Sequence, residues 1–267
     1  MTDEHENAAL FLHSAIKELG RFDNPISTRV LDFGCGSGKL VKKLISLGYD
    51  ASGCDVKPYW ECSSESDSDK FETISKKPYR LPFDDGTFDV VVSTSVLEHA
   101  QNTEEIFREI RRVLRMKGYS MHLYPGKWYL PAEPHIYVPL VNYFWPSCPK
   151  WWLSLWALLG IRNEHQVKQP WRDVVRANLE YCRHGLCYRT NGYYREISNA
   201  IFGSYSAPME FYIINGYGGV ANLLRKLPFK SLTGWVAGEV RMRFIVQQKM
   251  PCINPSQDRA TRSVETA

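Results

Sequence analysis

Two acidic residues and three alternating glycines are the residues of this chain best placed to do chemistry. They lie in Val30-Leu31-Asp32-Phe33-Gly34-Cys35-Gly36-Ser37-Gly38 and at Asp55, 21 positions after Gly34. Glycine has no Cβ, so a turn built from it can be tight and a ligand can lie against the main chain. A carboxylate at the tip of a following strand can accept both hydroxyls of a ribose. Together they imply a nucleotide-like ligand held at the end of a sheet. The elements needed to hold them are readable around them. An apolar strand runs into Phe33, a helix spans Lys39 to Leu47, and a second strand begins at Tyr49 and ends at Asp55. Strand, glycine turn and helix is how an α/β sheet brings its backbone to such a ligand.

Spacing narrows the ligand. A dinucleotide fingerprint needs G-x-G-x-x-G. Counting from Gly34 the last position is Lys39, and counting from Gly36 it is Val41. A P-loop needs G-x-x-x-x-G-K-[ST]. Gly38-Lys39 is present, but the opening position is Phe33 and the closing one is Leu40. What remains is acidic-x-G-x-G-x-G.

A third landmark is Leu81-Pro82-Phe83-Asp84-Asp85-Gly86-Thr87-Phe88-Asp89-Val90-Val91-Val92-Ser93, followed by Thr94-Ser95-Val96-Leu97-Glu98-His99. Asp85-Gly86 is a turn signal, and the β-branched run after it reads as the fourth strand. The three landmarks together resemble the class I S-adenosylmethionine-dependent methyltransferases, and the third resembles the signature of their type 11 group. The resemblance covers residues 29–124.

It implies an α/β fold: a Rossmann-like, seven-stranded, mostly parallel sheet with helices on both faces. It implies S-adenosyl-L-methionine as cofactor. Gly34, Gly36 and Gly38 would let the backbone approach the cofactor's amino acid part, and Asp32 would orient the turn or bind the ammonium through water. Asp55 would hold the ribose, Val56 would pack on the adenine, and Ser93 and Thr94 would sit beside the cofactor. The family often has an acidic residue before L-P-F, near the adenine amino group. Here the stretch is Lys76-Lys77-Pro78-Tyr79-Arg80, so no residue is carried over for that contact. In one quinone-modifying branch Glu-x-x-Glu-His binds a divalent metal. Ser95 stands in place of the first glutamate, so no metal is expected. In most relatives the Glu98-His99 pair is structural.

The remaining elements follow from periodicity. Ala8 to Leu19 has helical spacing and Gly20 can end it. Asn102 can cap a helix from Thr103 to Leu114. A fifth strand is expected at Tyr119 to Tyr124. Val220 to Leu227 reads as a helix, and Ser231 to Val236 with Arg241 to Gln247 as a closing hairpin of strands. A chain of 267 residues accommodates one large domain. The methyltransferase domain is placed at 1–254, with a disordered polar tail at 255–267 and a solvated loop at Glu61 to Lys70. Residues 126 to about 230 form an insertion between strands five and six. Six of the eight tryptophans lie there between Trp128 and Trp171, and it carries 12 Lys and Arg against 6 Asp and Glu. This is the expected Trp-rich lid. Trp151 to Leu159 is read as a buried lid helix; a helix lying in a membrane interface is the competing reading.

Methyl transfer to a hydroxyl needs a base, and histidine is the usual one near neutral pH. His135, in Ala132-Glu133-Pro134-His135 at the entry to the lid, is the preferred catalytic residue, with Tyr124 behind it. The seven cysteines form no C-x-x-C pair and read as reduced thiols of a cytoplasmic protein. The chain opens on no signal-peptide pattern and has no apolar run long enough to span a bilayer. The net charge of +4 is no nucleic-acid footprint, and the motifs of adenine, cytosine and protein-arginine enzymes are missing after the fourth strand. Elimination leaves a small-molecule, glycan or lipid-linked acceptor. The expected reaction is O-methylation of it. C- or N-methylation of an aromatic or quinone-like metabolite, and a non-catalytic cofactor-binding partner subunit, are the alternatives.

Overall fold

A computed structural model of the chain describes residues 4–57, 60, 69–76 and 79–251. The tail expected at 255–267 and most of the loop expected at 61–70 lie outside the described residues. The strands are β1 (Arg29–Phe33), β2 (Asp50–Asp55), β3 (Phe71–Thr73), β4 (Ser75–Lys76), β5 (Tyr79–Arg80), β6 (Phe88–Thr94), β7 (Leu114–Pro125) and β8 (Met242–Gln248). The helices of the core are α1 (Glu4–Glu18), α2 (Lys39–Ser46) and α3 (Thr103–Val113). Those after β7 are α4 (Val141–Phe144), α5 (Lys150–Leu158), α6 (Trp171–His184), α7 (Asn191–Phe202), α8 (Met209–Asn215), α9 (Gly218–Arg225) and α10 (Lys230–Val240).

The main sheet has the order β3-β2-β1-β6-β7-β8, parallel throughout except for β8 against β7. From β1 the chain first builds outward through β2 and β3, then crosses to β6 on the other side. The switch point therefore lies between the C-terminal ends of β1 and β6, where open α/β sheets bind ligands. Alternation sorts the side chains by face. Val30, Val90, Val92, Met121 and Phe244 pack with α1, α2 and α8. Leu31, Val91, Tyr124 and Ile245 pack with α3 and α7.

The sheet has six strands, where seven were expected. Ser231 to Val236 is not a strand but lies within α10. Its small residues Gly234, Ala237 and Gly238 recur at helical spacing and form the buried face. A Cβ on Gly234 would stand 3.0 Å from the Met209 Cβ, so glycine lets α10 lie directly on α8. The antiparallel finish is made by β8 alone, paired with β7 from Tyr119↔Gln248 to Pro125↔Met242. Asn102 begins α3 but gives it no side-chain cap; its amide donates to Glu105 Oε2 instead.

The insertion after β7 divides in two. Its first part has its own core, with Ile136, Val138, Leu153, Val174 and Tyr188 packed together. Its second part returns to the sheet: Tyr194 and Phe202 of α7 pack on Phe107 of α3. Helix α5 departs from the expectation of burial. Leu153 and Ala157 face the lid core, but Trp151 is 64% exposed and Leu158 63%.

Candidate active site

Gly34, with φ +78°, directly follows β1. A Cβ there would stand 2.5 Å from Val96 Cγ2. Only glycine lets the loop after β6 lie so close on the loop after β1. Gly36, φ +50°, is the half-buried apex of the turn, and a Cβ there would meet nothing within 4 Å. Its amide donates to Asp55 Oδ2 at 2.9 Å, while Asp55 Oδ1 takes the Val56 amide at 2.6 Å. Gly38 then starts α2 without a side-chain cap.

Asp32 is buried beneath this turn. Burial, and then the charge of Asp55, push its carboxyl up to about 7. A cationic group brought to the turn would relieve both effects. The open space at the Gly36 apex and this poorly compensated carboxylate fit a nucleoside carrying a cationic amino acid arm. Val56 is half-exposed at the rim. Ser93 is placed differently. Its hydroxyl is buried and paired with His122 Nδ1 at 2.7 Å, so its side chain belongs to the core under α3. His122 stacks on Phe107, and burial pushes its pKa down to about 3, so it stays neutral.

Two residues beyond Val96 the chain builds a second cluster. Ser95 takes a left-handed conformation (φ +56°) that turns the chain off β6 into a short 3-10 turn, Leu97–His99. Glu98 is wholly buried, with both carboxylate oxygens lacking a partner among the described residues. Burial pushes its carboxyl up to about 8. His99 Nδ1 contacts the Gly185 carbonyl at 2.5 Å, and the Cys187 amide donates to the Glu98 carbonyl at 2.5 Å. These bonds pin the end of α6 to the loop after β6.

That docking brings His135 over His99, with ring centroids 4.8 Å apart. His135 Nδ1 lies 2.7 Å from Glu133 Oε1. Glu133 is itself buried and accepts the amides of His135 and Ile136 and the Tyr188 hydroxyl. Burial works against charging His135, but the Glu133 hydrogen bond and the charges of Glu133 and Glu98 outweigh it and raise its pKa. A cavity of about 470 Å³ opens beside His135. Its wall includes Asn163, Gln166, Asn178 and Tyr181. Asn178 Nδ2 and the Tyr181 hydroxyl are buried there without partners among the described residues. Tyr124 is not at this cavity. Its ring packs on Tyr194 within the core, and burial pushes its hydroxyl far above the ordinary value, which removes it as a base.

The structure thus joins Gly34, Gly36, Asp32 and Asp55 at one place and Glu98, His99 and His135 at another. Sequence reasoning missed Glu133, Asn178 and Tyr181. An acid two residues before the histidine was the available signal for Glu133; nothing local marks the other two.

Residues 31–121 match the family described as a methyltransferase domain, type 11. Sterol 24-C-methyltransferase ERG6B of Gibberella zeae is 31% identical over 97 residues, which are 34% of this chain and 26% of that protein. Sterol 4-C-methyltransferase strm-1 of Caenorhabditis elegans is 29% identical over 119 residues, 42% of this chain and 35% of that protein. The chain thus spans about a third of the length of these curated relatives. Among solved structures, an N-methyltransferase of Haemonchus contortus in complex with phosphomonomethylethanolamine and S-adenosylhomocysteine superposes with a TM-score of 0.52. It is 14% identical, and the match covers 93% of this chain and 53% of that one, so the likeness is one of fold. The sequence match makes residues 31–121 a methyltransferase domain of the type 11 group, which uses S-adenosylmethionine, and the fold match over nearly the whole chain agrees with it.

Proposed function

We propose that this chain transfers the methyl group of S-adenosylmethionine to a hydroxyl oxygen of a polar, sugar-like or lipid-linked acceptor. The observation that carries the reading is the His135–Glu133 pair beside the cavity lined by Asn163, Gln166, Asn178 and Tyr181. Glu133 holds Nδ1, so Nε2 is left to take a proton from a hydroxyl that enters the cavity. The unpartnered Asn178 amide and Tyr181 hydroxyl are polar groups that a hydroxyl-rich acceptor can satisfy, and burying them unpaired is costly.

When bound, the cofactor supplies the electrophilic methyl group. The residues supply the rest. Asp55 and the Gly36 amide form the floor for the nucleoside, and Asp32 places negative charge where the cofactor's cationic arm would lie. Val96, which packs against Gly34, stands two residues before Glu98 and so links that floor to the Glu98–His135 cluster along the chain. The exposed apolar face of α5 supports a lipid-linked acceptor: Trp151, Leu155, Leu158 and Leu159 are open to solvent on one side of the lid. The names of the sterol methyltransferases favour a second reading, C-methylation of an apolar ring.

The test is incubation with methyl-labelled S-adenosylmethionine and fractionated glycans, lipid-linked glycans and sterols. Label recovered as a methoxy group in a glycan-bearing fraction is expected. Label on carbon or nitrogen, or in sterols alone, sinks O-methylation and leaves the second reading.

A further inference from the structure

We infer that Glu98, His99 and His135 form a binding site for one divalent transition-metal cation of the zinc type. One donor atom from each residue lies within 4.8 Å of the other two. His99 Nε2 is 4.0 Å from Glu98 Oε1.

The tautomers follow from the outer partners. A carbonyl oxygen only accepts, so His99 Nδ1 carries the hydrogen toward Gly185, and its Nε2 keeps a lone pair. Glu133 already takes two backbone amides and the Tyr188 hydroxyl, as a carboxylate does, so His135 Nδ1 donates to it. His135 Nε2 keeps its lone pair too. Beside these two rings stands Glu98, fully buried, with neither carboxylate oxygen hydrogen-bonded among the described residues. With Glu98 ionised, three acceptors meet where the described residues offer no donor, and either a proton on Glu98 or a bound cation resolves that arrangement; the cation is what we infer.

The donor set identifies the cation class. Two imidazoles and one carboxylate suit zinc and its first-row neighbours rather than calcium or magnesium. Glu133 behind His135 and the Gly185 carbonyl behind His99 are the outer partners that metal-ligating histidines use to fix their rings. Three protein ligands leave one position open, as catalytic zinc sites do. Bonds of about 2.0–2.2 Å place tetrahedral donors roughly 3.3–3.6 Å apart, so the cluster needs to close by about 1 Å. Glu98 and His99 come from the turn after β6, and His135 comes from the lid. The cation would therefore tie the two together. Ser95 removes a glutamate from the loop after β6, and His135 supplies the third ligand from elsewhere in the chain.

The role of the site rests on the proposed function; its binding does not. Facing the open position, an acceptor hydroxyl would lose its proton to bulk water as the oxygen–methyl bond forms and the sulfur–methyl bond breaks. His135 is then a ligand, and in the cation-free protein it is the base.

The test uses the full chain, stripped with chelator and titrated with zinc chloride by calorimetry and with cobalt chloride by visible absorption. One equivalent per chain is expected, with a cobalt spectrum typical of four-coordinate nitrogen and oxygen ligation. Glu98→Gln and His135→Gln should each weaken zinc binding at least about 100-fold, and Glu133→Gln, a positioning change, about 10-fold or more. Unchanged S-adenosylmethionine binding in each variant shows that the variant is folded. No zinc binding by the wild type, thiolate-type cobalt bands, or unchanged affinity in Glu98→Gln with the fold intact would overturn the site. Metal binding with no methyl transfer to any acceptor leaves the site standing and removes the proposed function. Methyl transfer that proceeds equally in chelator, without bound metal, removes the catalytic role of the cation.

Discussion

Asp55 holds the glycine turn from the tip of the neighbouring strand: its Oδ2 accepts the Gly36 amide at 2.9 Å and its Oδ1 the Val56 amide at 2.6 Å. The residue assigned to the ribose is thus also the residue that shapes the turn. Asp55→Ala removes both bonds. The expected loss in cofactor affinity is about 1–3 kcal/mol, roughly 10- to 100-fold in Kd. Calorimetric titration with S-adenosylmethionine measures it. An unchanged Kd would take Asp55 out of the site.

Asp32 should make cofactor binding depend on pH. Burial, with Asp55 beside it, raises its carboxyl to about 7 from an ordinary 3.8. A raised carboxyl contributes stability that is full below the unfolded value and is lost as pH rises through the folded one. The cofactor-free protein therefore loses stability on this account between about pH 4 and pH 7. A cationic ligand favours the ionised form. Affinity should rise across about pH 5–7 and then level, with proton release in that window. Titrations in two buffers of different ionisation enthalpy count the protons. Asp32→Asn should bind with a flat profile and, above pH 7, melt at a higher temperature than wild type without ligand. A slope that survives in Asp32→Asn assigns the titration to another group.

The shape of the glycine turn could be read from the sequence because its requirements are local. Gly34 must accept a positive φ beside Val96, and Asp55 must end the next strand; both needs leave marks within a few residues. The strand expected at Ser231 to Val236 failed for the opposite reason. Leu232, Thr233 and Val236 read as β-formers, but contact of Gly234 with Met209 of α8 decides for a helix, and that contact is tertiary. The Glu98–His99–His135 convergence is tertiary in the same way. It depends on Gly185 and Cys187, nearly ninety positions beyond His99, docking the lid against the loop after β6. No spacing along the chain announces it.

His135 and Glu133 should act as a unit in turnover. His135→Ala removes the group that takes the acceptor's proton, and turnover should fall by about 100-fold or more. Glu133→Gln should also lower turnover, by less, since the amide oxygen can still accept from Nδ1 in one orientation, while the other orientation donates to Nδ1 and puts the hydrogen on Nε2. Neither residue touches the glycine turn, so the Kd for S-adenosylmethionine should stay within about twofold of wild type. The measurement is label transfer at saturating cofactor once an acceptor fraction is in hand. Wild-type turnover in His135→Ala would remove it from the chemistry.

The lid's outer face should bind anionic lipid surfaces. Among the described residues no helix is long and apolar enough to cross a membrane. Helix α5 instead presents Trp151, Leu155 and Leu158 outward, with Leu159 beyond its end, and Lys168, Arg172 and Arg176 are also exposed on the lid. An exposed apolar helix face on a segment that also carries exposed basic residues is the pattern of a segment lying in the interface. Each large side chain moved from water contributes about 1.5–3 kcal/mol. Trp151→Glu with Leu158→Glu should therefore weaken binding to phosphatidylglycerol vesicles by about 100-fold or more, and cofactor affinity should not change. Because the basic residues contribute through exposed charge, wild-type binding should also weaken as salt rises, but not vanish, since the apolar part is not screened. Flotation with vesicles across a salt series reads both effects. Equal flotation of the double variant and wild type would show that α5 is not the contact, and loss of all binding at moderate salt would reduce the lid's attachment to charge alone.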